Sequence, residues 1–467
     1  MDIFFGTDGW RGILCEQINE DSVATVAQAL ADYLKMNSLG SAAVGYDGRK
    51  KSDSFAEIFA EVLSGNGIDI ILSDRVIPTP VLSFTVKKRN LSCGVMITAS
   101  HNPAEYNGIK FKDHYGGPFF TEKTLLIENR LYKAEIKKNR DKISIENLVN
   151  SYFEELDIIL DKSLIAIGTQ KIVVDSMHGA GGTVIEGYLA RFERKNITTI
   201  ASEILNDFGG RNAEPIEKNL TPLIYFLKEH EEFGIGLATD GDADRLGVVS
   251  SGGEWLSAQE TILLLADYVK NVKKIGGDLI KTSSVTGKFD KVFSGIKVHE
   301  VQVGFKYICE KMIETKAAFG AEESGGFGYG FFMPERDGIL SALLFVEMLE
   351  YYNVQSLKQL LQLKREEFGE IFYDRIDHPY HKSDRTELLP KLYESSPDEL
   401  AGFKVKSISG FLSSRGIING IKFHFEEDDR WLLIRASETE PLIRIYAEGK
   451  TMAEVKNLLE TGKKLFS

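Results

Sequence analysis

"GVMITASHNP", residues 94–103, carries an apolar run straight into a serine and then into a histidine, an asparagine and a proline. The apolar run reads as a buried strand, and the proline, with its fixed φ and missing N–H, stops sheet pairing soon after. Ser100 is therefore aimed out of a strand end, the place where open parallel α/β sheets gather their ligands. A hydroxyl there can act as a nucleophile or a covalent phosphate carrier once a base or metal activates it. The same residues also read as a helix cap, with Ser100 accepting a backbone N–H and Pro103 opening the next helix.

Outward from this stretch, strands and helices take turns. "AAVGYDGR" (42–49) ends an apolar run in a turn, "SFAEIFAEVLSGNG" (54–67) has helical spacing with a glycine stop, and "IDIILS" leads on toward "CGVMITAS". This is the rhythm of a parallel sheet covered by helices. The charged stretch "YKAEIKKNRDKISIE" reads as a connector, after which the rhythm recurs in "KIVVDSMHGAGG" (171–182) and "EFGIGLATDGDADRLGVV" (232–249). A third round runs from "GGDLIKTSSVTG" (276–287) through a helix at "GFKYICEKMIE" and a strand at "AAFGAEESGG" to a long apolar helix at "DGILSALLFVEMLEYY". In the last hundred residues "GIKFHFEEDDRWLLIRAS" and "LIRIYAEG" alternate like strands of an antiparallel sheet, closed by an amphipathic helix. The predicted architecture is α/β, with three related mixed-sheet domains in series (1–145, 146–250, 251–365) and a C-terminal α+β domain (366–467).

Composition excludes several functions. A net charge of -13 argues against nonspecific nucleic-acid binding, which needs a dense lysine and arginine footprint. Cys15, Cys93 and Cys309 are too few and too far apart for a disulfide framework or a zinc site. No signal peptide and no run of about 18 apolar residues is present, so a cytoplasmic protein without membrane partners is expected.

Three more loops bear chemistry. "TDGDADR" offers Asp240, Asp242 and Asp244 at alternate positions, and clustered carboxylates repel unless a hard cation such as magnesium lies between them. A calcium-binding helix-loop-helix fails on context, because strands flank the loop and no glutamate follows at the required offset. A solvated acidic turn is the plainer alternative; Arg245, next in line, invites a phosphate beside the cation. "GAEESGG" (320–326) sets Glu322, Glu323 and Ser324 among glycines, suited to sugar hydroxyls or to an ordinary flexible turn. "RASETEPLIR" (435–444) holds Arg435, Ser437, Thr439 and Arg444, which read as a phosphate cradle or as a surface salt-bridge cluster with Glu438 and Glu440.

Together, "FGTDGWRG" (5–12), "TASHNP" (98–103), "DGDADR" (240–245), "GAEESGG" and "RASETEP" resemble, in order, the five signature loops of the α-D-phosphohexomutases, the group of phosphoglucomutases and phosphomannomutases. The resemblance implies four domains around a cleft. It also implies a phosphoryl group on Ser100, magnesium held by Ser100, Asp240, Asp242 and Asp244, and a hexose 1,6-bisphosphate intermediate, with glucose 1,6-bisphosphate as activator. By motif position, Arg11 and Arg245 would stabilise the transferring phosphoryl, Lys110 matches the lysine downstream of the serine loop, and His101 would orient or neutralise the phosphoserine. Lys306, in "VGFK", would be the general base. Thr7, Glu322, Ser324, Arg435, Ser437, Thr439 and Arg444 would bind substrate.

Family members that include phosphomannomutases carry histidines where this chain has Phe305 and Gly326, so glucose phosphate is favoured, with mannose phosphate accepted and glucosamine phosphate the alternative. Glu438 stands where many members have glycine. A phosphoserine-carrying phosphatase and a silent sugar-phosphate sensor are the other readings; the retained serine, aspartates and arginines argue against the sensor. The expected partner is a small sugar phosphate, and the chain a monomer or homodimer.

Overall fold

The computed structural model describes residues 3–6, 8–380, 385–413, 416–426, 430–436 and 442–466. These described residues form four sheets in series. In the first, Ile143–Glu146, Asp69–Ser73, Ser41–Tyr46 and Cys93–Ile97 run parallel; Tyr106–Asp113 then pairs antiparallel with Cys93–Ile97, and Trp10–Ile13 closes the edge. The second repeats the plan with Ile197–Ile200, Lys171–Asp175 and Phe233–Thr239 parallel, followed by the antiparallel Leu246–Ser250 and Glu254–Leu256. Val298–Val301, Leu279–Thr282 and Phe319–Glu322 do the same in the third, completed by Gly326–Tyr329 and Met333–Arg336. The fourth is antiparallel wherever its strands pair, from Phe372–Pro379 at one edge, with helix Met452–Lys464 packed against it.

This common plan positions the site. In each α/β unit the last parallel strand turns back on itself, and the turn at its carboxyl end is one of the motif loops: residues 98–105, 240–245 and 323–325. Helix-covered parallel strands are buried on both faces, which explains why Cys93–Ile97 and Phe233–Thr239 are continuous apolar runs buried at every residue.

Two expectations change. No helix follows Pro103; strand Tyr106–Asp113 does, so Ser100 caps nothing. The charged connector is partly sheet, because Ile143–Glu146 alternates and adds in parallel to Asp69–Ser73. Two sheets also run beyond the expected domain limits, the first by one residue past 145 and the second through Glu254–Leu256, past 250.

One apolar core runs through the first three units. Phe84, Tyr152 and Phe332, one ring from each, meet at centroid distances of 5.6–6.1 Å. Helix Gly338–Tyr351, buried over all but its last two residues, lies within it. The fourth domain has a core of its own.

Candidate active site

Ser100 is fully buried and left-handed, at φ 52°, a region costly for any residue but glycine. Its N–H donates to Thr98 Oγ1 at 2.8 Å, which folds the strand end over. Its hydroxyl donates to Asp240 Oδ2 at 2.8 Å and lies 3.4 Å from His101 Nδ1. The nucleophile candidate of the first domain thus touches the acidic loop of the second.

That loop is buried. Ligand oxygens of Asp240, Asp242 and Asp244 lie within 4.8 Å of one another. Asp240 Oδ1 accepts from the Arg245 N–H, and Asp242 Oδ2 accepts from Thr79 Oγ1 at 2.6 Å, a second tie to the first domain. Burial, then the charges of Asp244 and Asp242, push Asp240 well above the usual carboxylate range. Asp242 goes the other way: against burial, Lys110 and Thr79 hold it low. Asp242 Oδ1 and Asp244 Oδ1 are buried without a hydrogen-bond partner. Unpartnered buried carboxylate oxygens beside a serine hydroxyl form an oxygen-only donor set that fits magnesium.

Cations surround this centre. Lys110, on Tyr106–Asp113, donates to Asp242 Oδ2 and Asp244 Oδ2 at 2.8 Å each and pairs with Asp8 at 3.0 Å. These three carboxylates outweigh burial and raise its pKa, so Lys110 is a fixed positive charge. Arg11 donates to Asn102 Oδ1 at 2.6 Å and reaches Asp8 at 3.4 Å. Arg245 faces Glu214 at 3.5 Å and Asp244 at 4.0 Å. Burial, then Arg245 and Arg11, hold the His101 imidazole well below its ordinary pKa. A neutral ring at 3.4 Å from the hydroxyl is placed where it could orient the serine without adding charge.

The "GAEESGG" loop joins the same cluster. Arg245 bridges Gly326 in backbone pairing, so the second and third motif loops are stitched together. Glu322 accepts from Arg336 at 3.3 Å, and Arg336 also pairs with Asp244 at 2.7 Å and Asp8 at 2.5 Å. Ser324 Oγ is buried without a hydrogen-bond partner. Glu323 faces Arg375 of the fourth domain at 3.5 Å. Lys306, in the first turn of Phe305–Thr315, is buried and donates to Thr121 of the first domain.

In the fourth domain Arg435 and Arg444 are direct cross-strand partners. Like charges set opposite each other are destabilising; Asp377, 3.8 Å from Arg444, offsets part of this, and a phosphate between the guanidinium groups would offset more. Ser437, Glu438 and Thr439, like Thr7, fall outside the described residues.

Sequence reasoning passed over Asp8, on which Arg11, Lys110 and Arg336 converge. It also missed Arg336, Thr79, Asn102 and Arg49. Asp8 lay inside a quoted motif, three residues from Arg11, and Arg49 ended "AAVGYDGR", but nothing in either segment announces Lys110, Arg336 or the serine-loop carbonyls.

Comparison with known proteins adds an independent finding. The phosphoglucomutase/phosphomannomutase family matches in chain order: alpha/beta/alpha domain I over residues 2–138, domain II over 150–253, domain III over 257–368 and the C-terminal domain over 388–461. The chain is 28% identical over 475 residues to the phosphoglucomutase/phosphomannomutase of Thermococcus kodakarensis, covering 100% of this chain and 98% of that protein. It is 30% identical over 486 residues to the phosphoglucosamine/phosphogalactosamine mutase of Sulfurisphaera tokodaii, covering 100% and 99%. A crystal structure from Thermus thermophilus, named for a phosphomannomutase, superposes with a TM-score of 0.85 at 32% identity, covering 100% of this chain and 99% of that one. Among the described residues no helix is long and apolar enough to cross a membrane.

Proposed function

Since the chain belongs to the phosphoglucomutase/phosphomannomutase family, we propose that it interconverts hexose 1-phosphate and hexose 6-phosphate through a phosphoserine at Ser100 and a hexose 1,6-bisphosphate. The observation that carries this reading is the Ser100 hydroxyl bonded to Asp240, beside the unpartnered oxygens of Asp242 and Asp244.

In the first half-reaction a substrate hydroxyl oxygen bonds to the phosphorus on Ser100 as the bond to Oγ breaks. The hydroxyl proton passes to a base, for which we assign Lys306, and Oγ leaves and takes up a proton, becoming the hydroxyl that donates to Asp240, as Lys306 releases the proton it received. Magnesium would be held by Ser100, Asp240, Asp242 and Asp244 and would supply charge neutralisation for the transfer. Arg11, Arg245 and Lys110 ring the same point with fixed positive charge, which suits a transfer that depends on positioning and electrostatics. Glu322 and Ser324 take sugar hydroxyls. The phosphate that does not react rests on Arg435 and Arg444, with Ser437, Thr439 and Thr7 as further donors. The bisphosphate then reorients, and Ser100 takes back the other phosphoryl.

Glucose phosphate is the favoured substrate, on the strength of Phe305 and Gly326, with mannose phosphate accepted. The name of the Sulfurisphaera relative favours a second reading, glucosamine phosphate. A coupled assay with magnesium and catalytic glucose 1,6-bisphosphate, offering glucose, mannose and glucosamine 1-phosphates separately, ranks the three. Formation of 6-phosphates by the native protein, lost in Ser100→Ala, is the expected result. Phosphate release without isomerisation would replace the mutase by a phosphatase.

A further inference from the structure

The serine loop is folded around a single buried cation. Carbonyl oxygens of Ser100, Asn102, Pro103 and Tyr106 all accept from the Arg49 guanidinium, at 2.6, 2.5, 2.8 and 2.9 Å. Arg49 is 3% exposed and comes from the turn after Ser41–Tyr46, the strand beside Cys93–Ile97 in the same sheet. Asp47 holds it, accepting from the Arg49 N–H at 3.0 Å and facing Nε at 3.3 Å.

The other side of the guanidinium lies against the second domain. Its carbon sits 4.7 Å from the centroid of the Phe208 ring. Phe208 also borders Gly241 in the acidic loop, where a Cβ would come within 3.2 Å of the ring and 2.4 Å of the Ser100 carbonyl oxygen. Arg49 is therefore where the serine loop and the acidic loop are gauged against each other.

We infer that Arg49 is a positioning residue for phosphoryl transfer: by gathering four loop carbonyls it fixes Ser100 in its left-handed conformation, with Oγ directed at Asp240. The inference rests on Ser100 being the phosphate carrier. Four carbonyl dipoles turned toward a phosphoserine would repel it, and Arg49 turns them inward. Lysine cannot replace it, because an ammonium has three donors and lacks the planar fork that spans four acceptors and stacks on a ring.

The test uses Arg49→Lys, Arg49→Ala and Phe208→Leu in the full chain. It reads thermal midpoint, kcat and KM for the best sugar 1-phosphate, and phosphate uptake by Ser100 from glucose 1,6-bisphosphate by intact mass. A loop displaced by about 1 Å costs on the order of 10²-fold in rate, so Arg49→Lys should lose about that factor in kcat and in phosphate uptake, with KM within about threefold. Phe208→Leu should lose less, and millimolar guanidinium should restore part of the Arg49→Ala rate. If Arg49→Lys keeps native kcat, or if lost activity merely tracks the lost folded fraction, the inference is overturned. Failure of all three variants to fold would assign Arg49 to the core and overturn it too. If the native protein neither isomerises a sugar phosphate nor takes phosphate on Ser100, the proposed function itself fails and this inference falls with it.

Discussion

Replacing Lys110 by methionine tests the electrostatic account of the site. Its Nζ contacts three carboxylates, Asp242 and Asp244 at 2.8 Å and Asp8 at 3.0 Å, and its side chain is 2% exposed. Methionine preserves volume but leaves Asp242 Oδ2 buried without its cation and Asp244 and Asp8 with Arg336 as their nearest remaining cation, and removing one partner of a buried ion pair costs about 3–5 kcal/mol. The change should appear as that loss in the opening free energy of Tyr106–Asp113, the strand carrying Lys110. Native-state hydrogen exchange in a chelator reads it locally, which matters because a chain of several domains need not unfold in one step. Magnesium should then narrow the gap, since the more negative site of the variant binds a divalent cation more tightly; a tenfold gain in affinity returns about 1.4 kcal/mol. A gap below about 1 kcal/mol in chelator, or one that magnesium leaves unchanged, would refute the view that Lys110 and a metal ion neutralise the same carboxylates.

Arg444→Ala should lower kcat/KM about 10- to 100-fold, the range for one lost charge-assisted hydrogen bond to phosphate; an unchanged value in steady-state kinetics would remove Arg444 from the phosphate site. Burial raises Asp337 to about 7, with the Tyr152 hydroxyl and the Leu340 N–H as its donors. The stability this group confers is complete below the unfolded pKa near 4 and is lost as pH rises through 7, because the folded state holds the proton more tightly. Denaturant titrations at pH 5 and pH 8 should therefore show Asp337→Asn losing about 3 kcal/mol less than the native protein over that interval, and equal losses would contradict the assignment. Binding of a sugar bisphosphate should reduce the radius of gyration in solution scattering as the fourth domain closes on the cleft; an identical radius would argue against closure.

Much of this was readable along the chain because the motif loops are local: Ser100, the three aspartates and Glu322 each end an apolar strand, a signal confined to about ten residues. The mates of those strands were harder to see. Tyr106–Asp113 carries Lys110, but its turn back beside Cys93–Ile97 was hidden behind a proline that also suits a helix start. Arg49, Asp8 and Arg336 were illegible for a different reason. Their partners lie 51, 102 and 328 residues away, and no composition rule distinguishes an arginine that grips remote carbonyls from one that solvates a turn.

The distribution of cores explains why the site is built from three fixed loops and one separate domain. The first three units share apolar packing through Phe84, Tyr152 and Phe332, so the distances among Ser100, Asp240 and Glu322 are set by a continuous interior that resists deformation. The fourth domain meets the third through polar contacts and one small apolar patch: Glu448 accepts from the Gly287 N–H at 2.7 Å, Lys422 donates to Glu300 at 2.8 Å, Arg375 faces Glu323 at 3.5 Å, and Val303 packs against Trp431, Leu433 and Tyr446. Water can take over the partners of such polar contacts once the domain moves, whereas a shared core has no such substitute. The proposed turn of a bisphosphate between half-reactions calls for a rigid transfer centre and a phosphate grip that can open, and the core shared by the first three units ends before the fourth domain, which has its own.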